Sequence, residues 1–407
     1  MDILHCDLNN FYASVETVLN PDLQGKYVAV SGDPNKRSGI ILAKNTAAKN
    51  MGVKTAETIW QAKQKCPELV CVPPHFDCYV HFSKRVREIY EQYTDRVEGF
   101  GLDECWLDVT HSKVFGTPQE IADKLRQEVK EKTGLTISVG VSFNKTFAKL
   151  GSDLKKPDAT TVITKQNYKQ VVWPLDVAEM LYVGGHTKQK LNEMGIYTLG
   201  DLANASLAAM KSRFGVVGER LKLCAAGEDS DPVRQSHTER DMKSVGHGTT
   251  TLRDMVTFDD AETVISVLSE MVATRLRRYG YLGRVVHLDI RRNDLTHESK
   301  QTTVHETCVA KDICESAIKL LHCIWKGQFD TPLRSLTVSV SKLSEVSSGV
   351  QMTLFDKKDE KQQNLEFSVD KIRKKFGFGA ITKASVLNND LVGKDMMAEE
   401  DLLPFKR

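Results

Sequence analysis

Three acidic residues in two separate stretches have the type and placement needed to hold divalent cations. Asp7 ends the short apolar run that begins at Ile3, a pattern typical of the end of a buried strand. Asp103 and Glu104 are adjacent acids that follow glycines able to form a hairpin turn. Neighbours in a regular strand point to opposite faces, so both acids reach one cluster only if the backbone bends there. Carboxylates bind hard cations, and the two stretches therefore predict a metal site.

The helix predicted after Asp7 adds an anion site. Its apolar residues Phe11, Val15 and Leu19 share one face, and Asn9 or Asn10 is placed to cap its start. The N-terminus of a helix presents unpaired N–H groups that bind phosphate. A carboxylate beside such a terminus favours a metal–triphosphate site, although an acid at this position is more often only a turn or capping residue.

Basic residues lie on and just after a second predicted helix, which runs from about residue 144 to 154. Lys149 and Lys156 lie largely away from its apolar stripe, and a strand from 136 to 141 precedes it. From pattern alone, a solvated helix face is the ordinary explanation of such lysines.

Length, charge and cysteine content limit the function classes. A chain of 407 residues is expected to form two to four domains, and its net charge of +2 gives no global nucleic-acid signal. Nine cysteines without a paired C-x-x-C arrangement argue against a zinc site or a disulfide framework and fit a reducing cytoplasm. No apolar run approaches 18 residues and no signal-like start is present, so we expect a cytoplasmic protein without a membrane span.

Two local features in the later part of the chain point to nucleic acid or to a partner. The stretch from residue 275 to 292 contains six arginines and a single aspartate. This concentration of positive charge is suited to binding a phosphate backbone, although a solvated helix end explains half of it. An apolar Leu354–Phe355 pair with Gln351 stands between polar flanks, which is typical of a docking peptide or of a strand folded onto its neighbour.

Three motifs, taken in order, resemble the Y-family of translesion DNA polymerases, in its bacterial DNA polymerase IV and UmuC-like branch. They are the Asp-Leu-Asn-Asn-Phe-Tyr-Ala-Ser-Val-Glu start at Asp7, the Asp103–Glu104 hairpin, and the run Ser138–Lys149. The resemblance covers roughly the whole chain, and the ordered set of motifs is highly specific.

The resemblance implies an α+β multidomain fold shaped as a right-hand polymerase. Its expected parts are a palm of mixed sheet plus helices, small fingers, a helical thumb with a helix–hairpin–helix, and a β-α-β-β-α-β little finger. The boundaries we predict are 1–10 and 75–163 for the palm, 11–74 for the fingers, 164–230 for the thumb, 231–242 for a linker, 243–345 for the little finger, and 346–407 for a C-terminal tail with a clamp-binding peptide at 351–355.

The resemblance also assigns the catalytic and nucleotide-binding residues. Two Mg²⁺ ions are expected on Asp7, the Leu8 carbonyl, Asp103 and Glu104. The residues expected to bind the triphosphate of the dNTP are Asn10, Phe11, Tyr12, Lys49 and Lys156, with Tyr12 as the steric gate against ribose. Thr46 and Lys49 stand where many relatives have Tyr and Arg, and Lys49 keeps the charge but loses bidentate phosphate geometry.

Contacts to primer-template DNA and to a sliding clamp complete the expected site. The DNA-contacting residues by resemblance are Gly184, Gly185, Arg275, Arg284, Arg291 and Arg292, and the clamp-binding residues are Gln351, Leu354 and Phe355. A plain αα-corner is the alternative at Gly184–Gly185. The chain is expected to act as a monomer.

We therefore expect template-directed DNA synthesis opposite lesions, by two-metal phosphoryl transfer with release of pyrophosphate. One rival is a two-metal nucleotide cyclase on a similar palm, which would need neither a thumb nor a clamp peptide. The other is a catalytically inactive DNA-binding accessory protein, which would not need Asp7, Asp103 and Glu104.

Overall fold

The computed structural model describes residues 1–33, 39–238, 241–346, 360–387 and 389–392. These residues form two compact units, one of 1–33 with 39–238, and one of 241–346 with 360–387 and 389–392. Within this described part of the chain, no helix is both long and apolar enough to cross a membrane.

The first unit contains eight strands and eleven helices among its described residues. The strands are β1 Ile3–Leu8, β2 Val28–Ser31, β3 Ile41–Lys44, β4 Val70–Val72, β5 Val97–Phe100, β6 Glu104–Asp108, β7 Ile137–Ser142 and β8 Thr160–Ile163. The helices are α1 Phe11–Leu19, α2 Thr46–Asn50, α3 Ile59–Lys65, α4 Phe76–Tyr90, α5 Pro118–Thr133, α6 Lys145–Leu154, α7 Tyr168–Val171, α8 Gly185–Asn192, α9 Leu199–Asn204, α10 Leu207–Phe214 and α11 Val216–Ala226.

A mixed five-stranded sheet forms the centre of this unit, in the order β5-β6-β1-β7-β8. Only the β7–β8 pair is parallel. Leu4, Cys6 and Leu8 point to one face of β1 and pack on the apolar stripes of α4 and α5. This arrangement confirms the predicted mixed-sheet palm with a helix packed beneath it.

The opposite face of the sheet is covered by α6, which lies unusually close to β7. A Cβ atom built on Gly140 would stand 1.9 Å from the Ala148 carbonyl oxygen and 2.5 Å from the Ser152 nitrogen. Gly151 faces Gly140 from the helix at similarly short range. Two glycines therefore bring the backbone of α6 against the strand that neighbours Asp7.

Two smaller groups of elements complete the first unit. Strands β3, β2 and β4 form a three-stranded sheet with α2 and α3, and helices α7 to α11 enclose an apolar cluster that includes Leu191, Leu199 and Leu202. They correspond in sequence to the predicted fingers and thumb.

Two boundaries differ from the sequence prediction. The apolar pattern from His75 to Arg96 predicts one long helix. Helix α4 ends at Tyr90 instead, because the Thr94 hydroxyl donates to the Asp108 carbonyl at 2.7 Å and the Tyr93 carbonyl accepts from Ser112 at 2.7 Å. The predicted linker is anchored over its first part. Val233 is fully buried against the sheet.

The second unit has the predicted β-α-β-β-α-β order. Its elements are β9 Ser244–Met255, α12 Phe258–Tyr279, β10 Tyr281–Arg292, β11 His297–Thr307, α13 Ala310–Ile324 and β12 Leu333–Glu345, followed by α14 Glu360–Phe376. The antiparallel sheet has the order β11-β10-β12-β9. Along β10, Val286, Leu288 and Ile290 face the helices, so the alternate residues lie on the open face.

Helix α14 is attached to the second unit by charged residues. Arg277 of α12 bonds Asp370 at 2.6 Å and also pairs with Glu366, while Arg373 donates to Glu270 at 2.7 Å. Leu365 and Phe376, which share a face in the sequence pattern, are 57% and 66% exposed. Burial of the apolar stripe therefore does not explain how this helix is held.

The glycine contact between α6 and β7 leads to a stability prediction. Gly140→Ala should lower the free energy of unfolding by about 3 kcal/mol, because the new methyl group overlaps the backbone of α6. Urea unfolding measures the change. Gly185→Ala is the matched control, since nothing lies within 4 Å of a Cβ built there. Equal stability of the two variants would show that α6 yields to the methyl group.

Candidate active site

Asp7 and Glu104 lie side by side on neighbouring strands, directly opposite each other in the β1–β6 register. Paired residues of adjacent strands project to the same side of a sheet, which here is the side covered by α6. The fully buried His5 lies on the same face, and ligand atoms of these three residues all lie within 4.8 Å of one another. The predicted meeting of Asp7 with Glu104 is confirmed.

Asp103 lies in the turn before β6, outside the regular strand. Gly101 has a φ of +76°, a left-handed conformation that glycine adopts readily, and the turn returns Asp103 toward the other acids. Burial, followed by the charges of Asp7 and Glu104, raises the pKa of Asp103 to about 6. The bend required by the sequence argument is therefore present, and three carboxylates share one electrostatic environment.

Lys149 of α6 is the cation between these acids. Its Nζ lies 3.2 Å from Asp7 Oδ2, 2.9 Å from Glu104 Oε2 and 3.2 Å from Asp153 Oδ2. Burial opposes its charge, yet the Asp7 and Glu104 carboxylates outweigh burial and raise the pKa of Lys149. The sequence marked Lys149 only as a basic neighbour of the triphosphate site, because strand–helix packing was needed to place it between the acids.

Lys156 reaches the same cluster from beyond the end of α6. Its Nζ lies 2.8 Å from Asp7 Oδ2, and its side chain is 31% exposed. The backbone two residues later is held by Asn9, whose Oδ1 accepts from the Asp158 N–H at 2.9 Å. The lysine that resemblance assigned to the triphosphate thus lies beside Asp7.

The start of α1 presents its N–H groups without a side-chain cap. Asn10 occupies the N-cap position with a φ of +51°, but its amide donates to Thr46 Oγ1 at 2.9 Å. The Asn9 amide bonds Ser138 and Thr136. The prediction that Asn9 or Asn10 caps α1 is wrong, because both side chains are used in contacts between distant parts of the chain.

The predicted gate residue Tyr12 lies in the first turn of α1 and packs within an aromatic cluster. Its ring stacks on the Tyr79 ring with centroids 4.2 Å apart and an interplanar angle of 10°, and it contacts Phe76 edge-on at 5.9 Å. The buried Tyr79 hydroxyl donates to Glu16, which also accepts from His75 Nδ1 at 2.9 Å. Burial, followed by the charge of Asp103, raises the pKa of Tyr12, which places the ring near the acidic cluster.

Lys49, the other predicted triphosphate residue, is an exposed side chain of α2. Lys44 of β3 lies near it, since burial and then the charge of Lys49 lower the pKa of Lys44. The sequence pattern alone does not single out Lys44, because only the fold of the small sheet brings the charges of the two lysines together.

The predicted helix–hairpin–helix is only partly regular. Gly184 caps α8 and Gly185 begins it, and nothing lies within 4 Å of a Cβ built at either position, so the turn faces open space. The element before it is a single 3₁₀ turn, Val177–Glu179, rather than a full first helix. An exposed turn remains available to a phosphate backbone.

The four predicted DNA-contact arginines separate into different environments. Arg284 is exposed and lies beside Glu306, whereas Arg275 on α12 and Arg291 on the open face of the second sheet are only partly exposed. Arg292 is 14% exposed, bonds Glu298 at 2.9 Å, and lies 3.5 Å from Asp330. The guanidinium of Arg292 is thus held by intramolecular ion pairs, and its assignment to DNA stays a prediction. The clamp-binding residues Gln351, Leu354 and Phe355 lie outside the described residues.

The carboxylate set fits the divalent cations that the sequence predicts. Carboxylate oxygens are the preferred ligands of hard cations, and the neighbouring carboxylates of Asp7 and Glu104 require a positive counter-charge. Lys149 supplies part of that charge among the described residues, and a cation that binds Asp7 and Glu104 must take over its contacts.

This geometry leads to a prediction for Lys149. Lys149→Met should lower the free energy of unfolding by about 2 kcal/mol in chelator, because it removes the ammonium group that contacts both Asp7 and Glu104. A divalent cation should restore the lost stability by neutralising the same carboxylates, as measured by thermal unfolding with and without Mg²⁺. Lys155→Met is the control, since Lys155 is exposed. A loss that Mg²⁺ does not reverse would contradict a shared role of lysine and cation.

Comparison with known proteins gives a consistent assignment. Residues 6–153 match the impB/mucB/samB family, and residues 242–354 match the C-terminal domain of that family. The chain is 45% identical to DNA polymerase IV of Acetivibrio thermocellus, over 95% of this chain and 98% of that protein. It is 38% identical to DNA polymerase IV 2 of Bacillus subtilis, over 94% and 93% of the two chains.

A solved structure supports the same assignment at the level of the fold. The Y-family DNA polymerase chimera Dbh-Dpo4(243-245)-Dbh matches with a TM-score of 0.74 and 26% identity, over 84% of this chain and 99% of that one. The acids at the strand ends, the family matches and the structural likeness lead to one conclusion. The chain belongs to the Y-family of translesion DNA polymerases, among relatives named DNA polymerase IV.

Proposed function

We propose that this DNA polymerase adds dNMP to a primer 3′-hydroxyl with two Mg²⁺ ions held by Asp7, the Leu8 carbonyl, Asp103 and Glu104. The observation that carries the proposal is the register of β1 with β6, which sets Asp7 opposite Glu104 and next to the turn that holds Asp103. Two such ions, when bound, stabilise the attacking and leaving oxygens of an in-line displacement.

The remaining residues of the site position the nucleotide. The uncapped start of α1, with the N–H groups of Asn10, Phe11 and Tyr12, is suited to a triphosphate because helix N-termini attract anions. Lys156 lies beside Asp7 and Lys49 extends from α2, so each supplies one ammonium group. Charge neutralisation and positioning provide most of the rate enhancement in such phosphoryl transfers.

Removing one carboxylate tests the metal assignment. Asp103→Ala should reduce nucleotide addition by at least about 10³-fold while DNA affinity stays within about threefold, because the loss weakens cation binding but no DNA contact. Single-turnover primer extension with Mg²⁺ and a DNA-binding titration measure the two quantities. Asp153→Ala is the matched control, since Asp153 pairs with Lys149 and Lys156 but is not among the proposed ligands.

The same assay separates the rival functions. A nucleotide cyclase would act on a triphosphate without a primer, and an inactive accessory protein would not extend a primer at all. Near wild-type extension by Asp103→Ala would remove the metal assignment while leaving the family membership intact.

Tyr12 is proposed as the gate that excludes ribose. Its ring is fixed by the stack on Tyr79 and the edge contact to Phe76, so it cannot yield easily to a 2′-hydroxyl. Tyr12→Ala should therefore raise ribonucleotide incorporation relative to deoxynucleotide incorporation by about 10²-fold or more, a ratio that corresponds to about 3 kcal/mol. Single-turnover rates with both sugars measure it. Tyr93→Ala, outside this cluster, is the control. An unchanged ratio of ribonucleotide to deoxynucleotide incorporation in Tyr12→Ala would show that Tyr12 only packs within the aromatic cluster.

DNA contacts are proposed at the Gly184–Gly185 turn and at three arginines of the second unit, the exposed Arg284 and the partly exposed Arg275 and Arg291. The turn offers backbone N–H groups, and the arginines offer charge, so both would contact phosphates and read no sequence. Binding should accordingly weaken with salt for all sequences alike.

Gln351, Leu354 and Phe355 are proposed to dock on a sliding clamp. In the sequence, this peptide lies between strand β12, which ends at Glu345, and helix α14, which begins at Glu360. The chain on both sides of the peptide therefore belongs to the second unit. Two apolar side chains and one amide fit a shallow peptide-binding pocket, and tethering would raise the effective concentration of the polymerase on DNA.

A double substitution tests the docking peptide. Leu354→Ala with Phe355→Ala should leave extension of a bare primer within about twofold and abolish the stimulation by loaded clamp, because only the partner contact is lost. Extension assays with and without clamp measure both effects. Joint loss of thermal stability and basal activity would identify the segment as structural.

The chain is proposed to act as a monomer in the cytoplasm. All nine cysteines are free thiols, which suits a reducing compartment.

A further inference from the structure

A fully buried histidine lies beside the two acids that face each other across β1 and β6. His5 is 0% exposed and stands two residues before Asp7, on the same face of the sheet. The Trp106 ring contacts the imidazole edge-on, with centroids 5.0 Å apart, and limits its rotation. An apolar side chain would fill this strand position without the cost of burying two ring nitrogens. The position therefore points to a role for those nitrogens.

Nδ1 of His5 is the nitrogen that carries the ring proton. It lies 2.9 Å from Ser152 Oγ, and that hydroxyl donates to the Lys149 carbonyl oxygen at 2.7 Å. Because a hydroxyl has a single proton, Ser152 can only accept from the imidazole. Burial lowers the pKa of His5, so the ring is neutral and its one proton stays on Nδ1.

Nε2 of His5 therefore presents a lone pair and no proton. It lies 3.1 Å from Glu104 Oε2, yet neither atom has a hydrogen-bond partner within the described part of the chain. An unprotonated imidazole nitrogen and an ionised carboxylate can both only accept. Two buried acceptors at this distance are costly unless a cation binds both of them.

The spacing of these two atoms is that of neighbouring ligands on one metal ion. Imidazole nitrogens and carboxylate oxygens bind such ions at about 2.1 Å, so two ligands at roughly a right angle stand about 3 Å apart. Asp7 completes the set, because ligand atoms of all three residues lie within 4.8 Å of one another. The terminal torsion of a carboxylate is broad, so a small rotation brings Asp7 to the same ion.

The ammonium group of Lys149 competes with a cation for this place. Its Nζ lies 2.9 Å from Glu104 Oε2 and 3.2 Å from Asp7 Oδ2, so an ion that binds both acids displaces it. Asp153 lies 3.2 Å from the same Nζ and is 39% exposed. The lysine can thus turn outward to Asp153 and keep a partner.

The chemistry of the three donors selects the class of ion. Imidazole suits Zn²⁺ and other first-row transition ions, whereas Mg²⁺ prefers oxygen ligands. A site of one nitrogen and two carboxylates therefore differs from the proposed magnesium site, which uses Asp103 and the Leu8 carbonyl in place of a nitrogen.

We propose that His5 Nε2, Asp7 and Glu104 form a binding site for a first-row transition-metal ion, which enters as Lys149 turns to Asp153. Zn²⁺ binds there more tightly than Mn²⁺, following the general order of affinities. Zn²⁺ in this site occupies two carboxylates proposed to hold Mg²⁺, and it therefore inhibits primer extension. The site itself rests on the geometry of these residues, and only the inhibition rests on the proposed function.

Metal binding to the whole chain, without DNA or dNTP, tests the site. Electron spin-echo spectroscopy with one equivalent of Mn²⁺ should show coupling to an imidazole nitrogen, and calorimetric titration measures Zn²⁺ affinity. In His5→Gln the nitrogen coupling should vanish, and Zn²⁺ affinity should fall at least about 10-fold. His186→Gln is the matched control, since His186 is exposed, and both readouts should equal those of the wild type.

Two further variants distinguish a metal ligand from a packing residue. Lys149→Met should raise Zn²⁺ affinity, because it removes the competing ammonium group. Ser152→Ala should lower Zn²⁺ affinity by less than His5→Gln does, since it only frees the ring. Thermal unfolding in chelator measures the folding of each variant, and these two test the site even if His5→Gln fails to fold.

The inhibition is measured by primer extension. Zn²⁺ should inhibit the wild type at a concentration at least about 10-fold lower than it inhibits His5→Gln, each relative to its own rate with Mg²⁺. Equal sensitivity of the two proteins to Zn²⁺ would overturn the inhibition.

Other outcomes would overturn the site. Absence of nitrogen coupling in the wild type, or equal Zn²⁺ affinity in His5→Gln, would show that His5 is not a ligand. Loss of the coupling in His186→Gln would assign the ion to a surface histidine instead.

Asp103→Ala separates this inference from the proposed function. Asp103 is outside the three-residue site, so this variant should keep the nitrogen coupling while it loses primer extension. If it keeps both, the catalytic metal assignment fails and the transition-metal site stands. If it loses both, the ion seen by spectroscopy needs Asp103, and the three-residue site is wrong.

Discussion

The antiparallel pairing of β1 with β6 brings two negative charges together, and the rest of the first unit depends on how they are tolerated. In this register Asp7 faces Glu104, and Asp103 follows in the adjoining turn. Burial, followed by repulsion from the like charges of Asp7 and Glu104, raises the pKa of Asp103 to about 6. A polymerase needs such carboxylates where cations and phosphates bind, and the fold therefore tolerates their mutual repulsion.

Close packing of α6 against the sheet supplies a positive charge that compensates for this repulsion. Gly140 and Gly151 let the helix backbone approach the sheet, and this approach places Lys149 among the acids. Ser152 on the same helix reaches His5 from behind. The helix thus brings the counter-charge to the acids, so a small change in its distance from β7 would disturb these ion pairs.

A different balance holds the last helix of the second unit. Arg277 and Arg373 are almost fully buried, and each is neutralised by carboxylates across the helix contact. Buried ion pairs add little stability compared with apolar packing, but they fix one arrangement because an unpaired buried charge is costly. They also explain why Arg277, counted in the sequence as part of a basic cluster, does not contribute charge to a surface.

The sequence by itself determined the order and type of most elements and the three acids. Apolar periodicity set the strands and helices of the palm and of the β-α-β-β-α-β unit, and the Gly99–Gly101 turn required the bend that places Asp103. Contacts between distant residues were decided only by tertiary structure. Asn9 and Asn10 bond Ser138 and Thr46 instead of capping α1, α4 ends early where Thr94 bonds Asp108, and His5 becomes a neighbour of Glu104 through strand register and helix packing. A local sequence pattern shows the period of the apolar residues and the residues that form turns. The partner of a buried polar group, in contrast, depends on which distant strand or helix is placed against it.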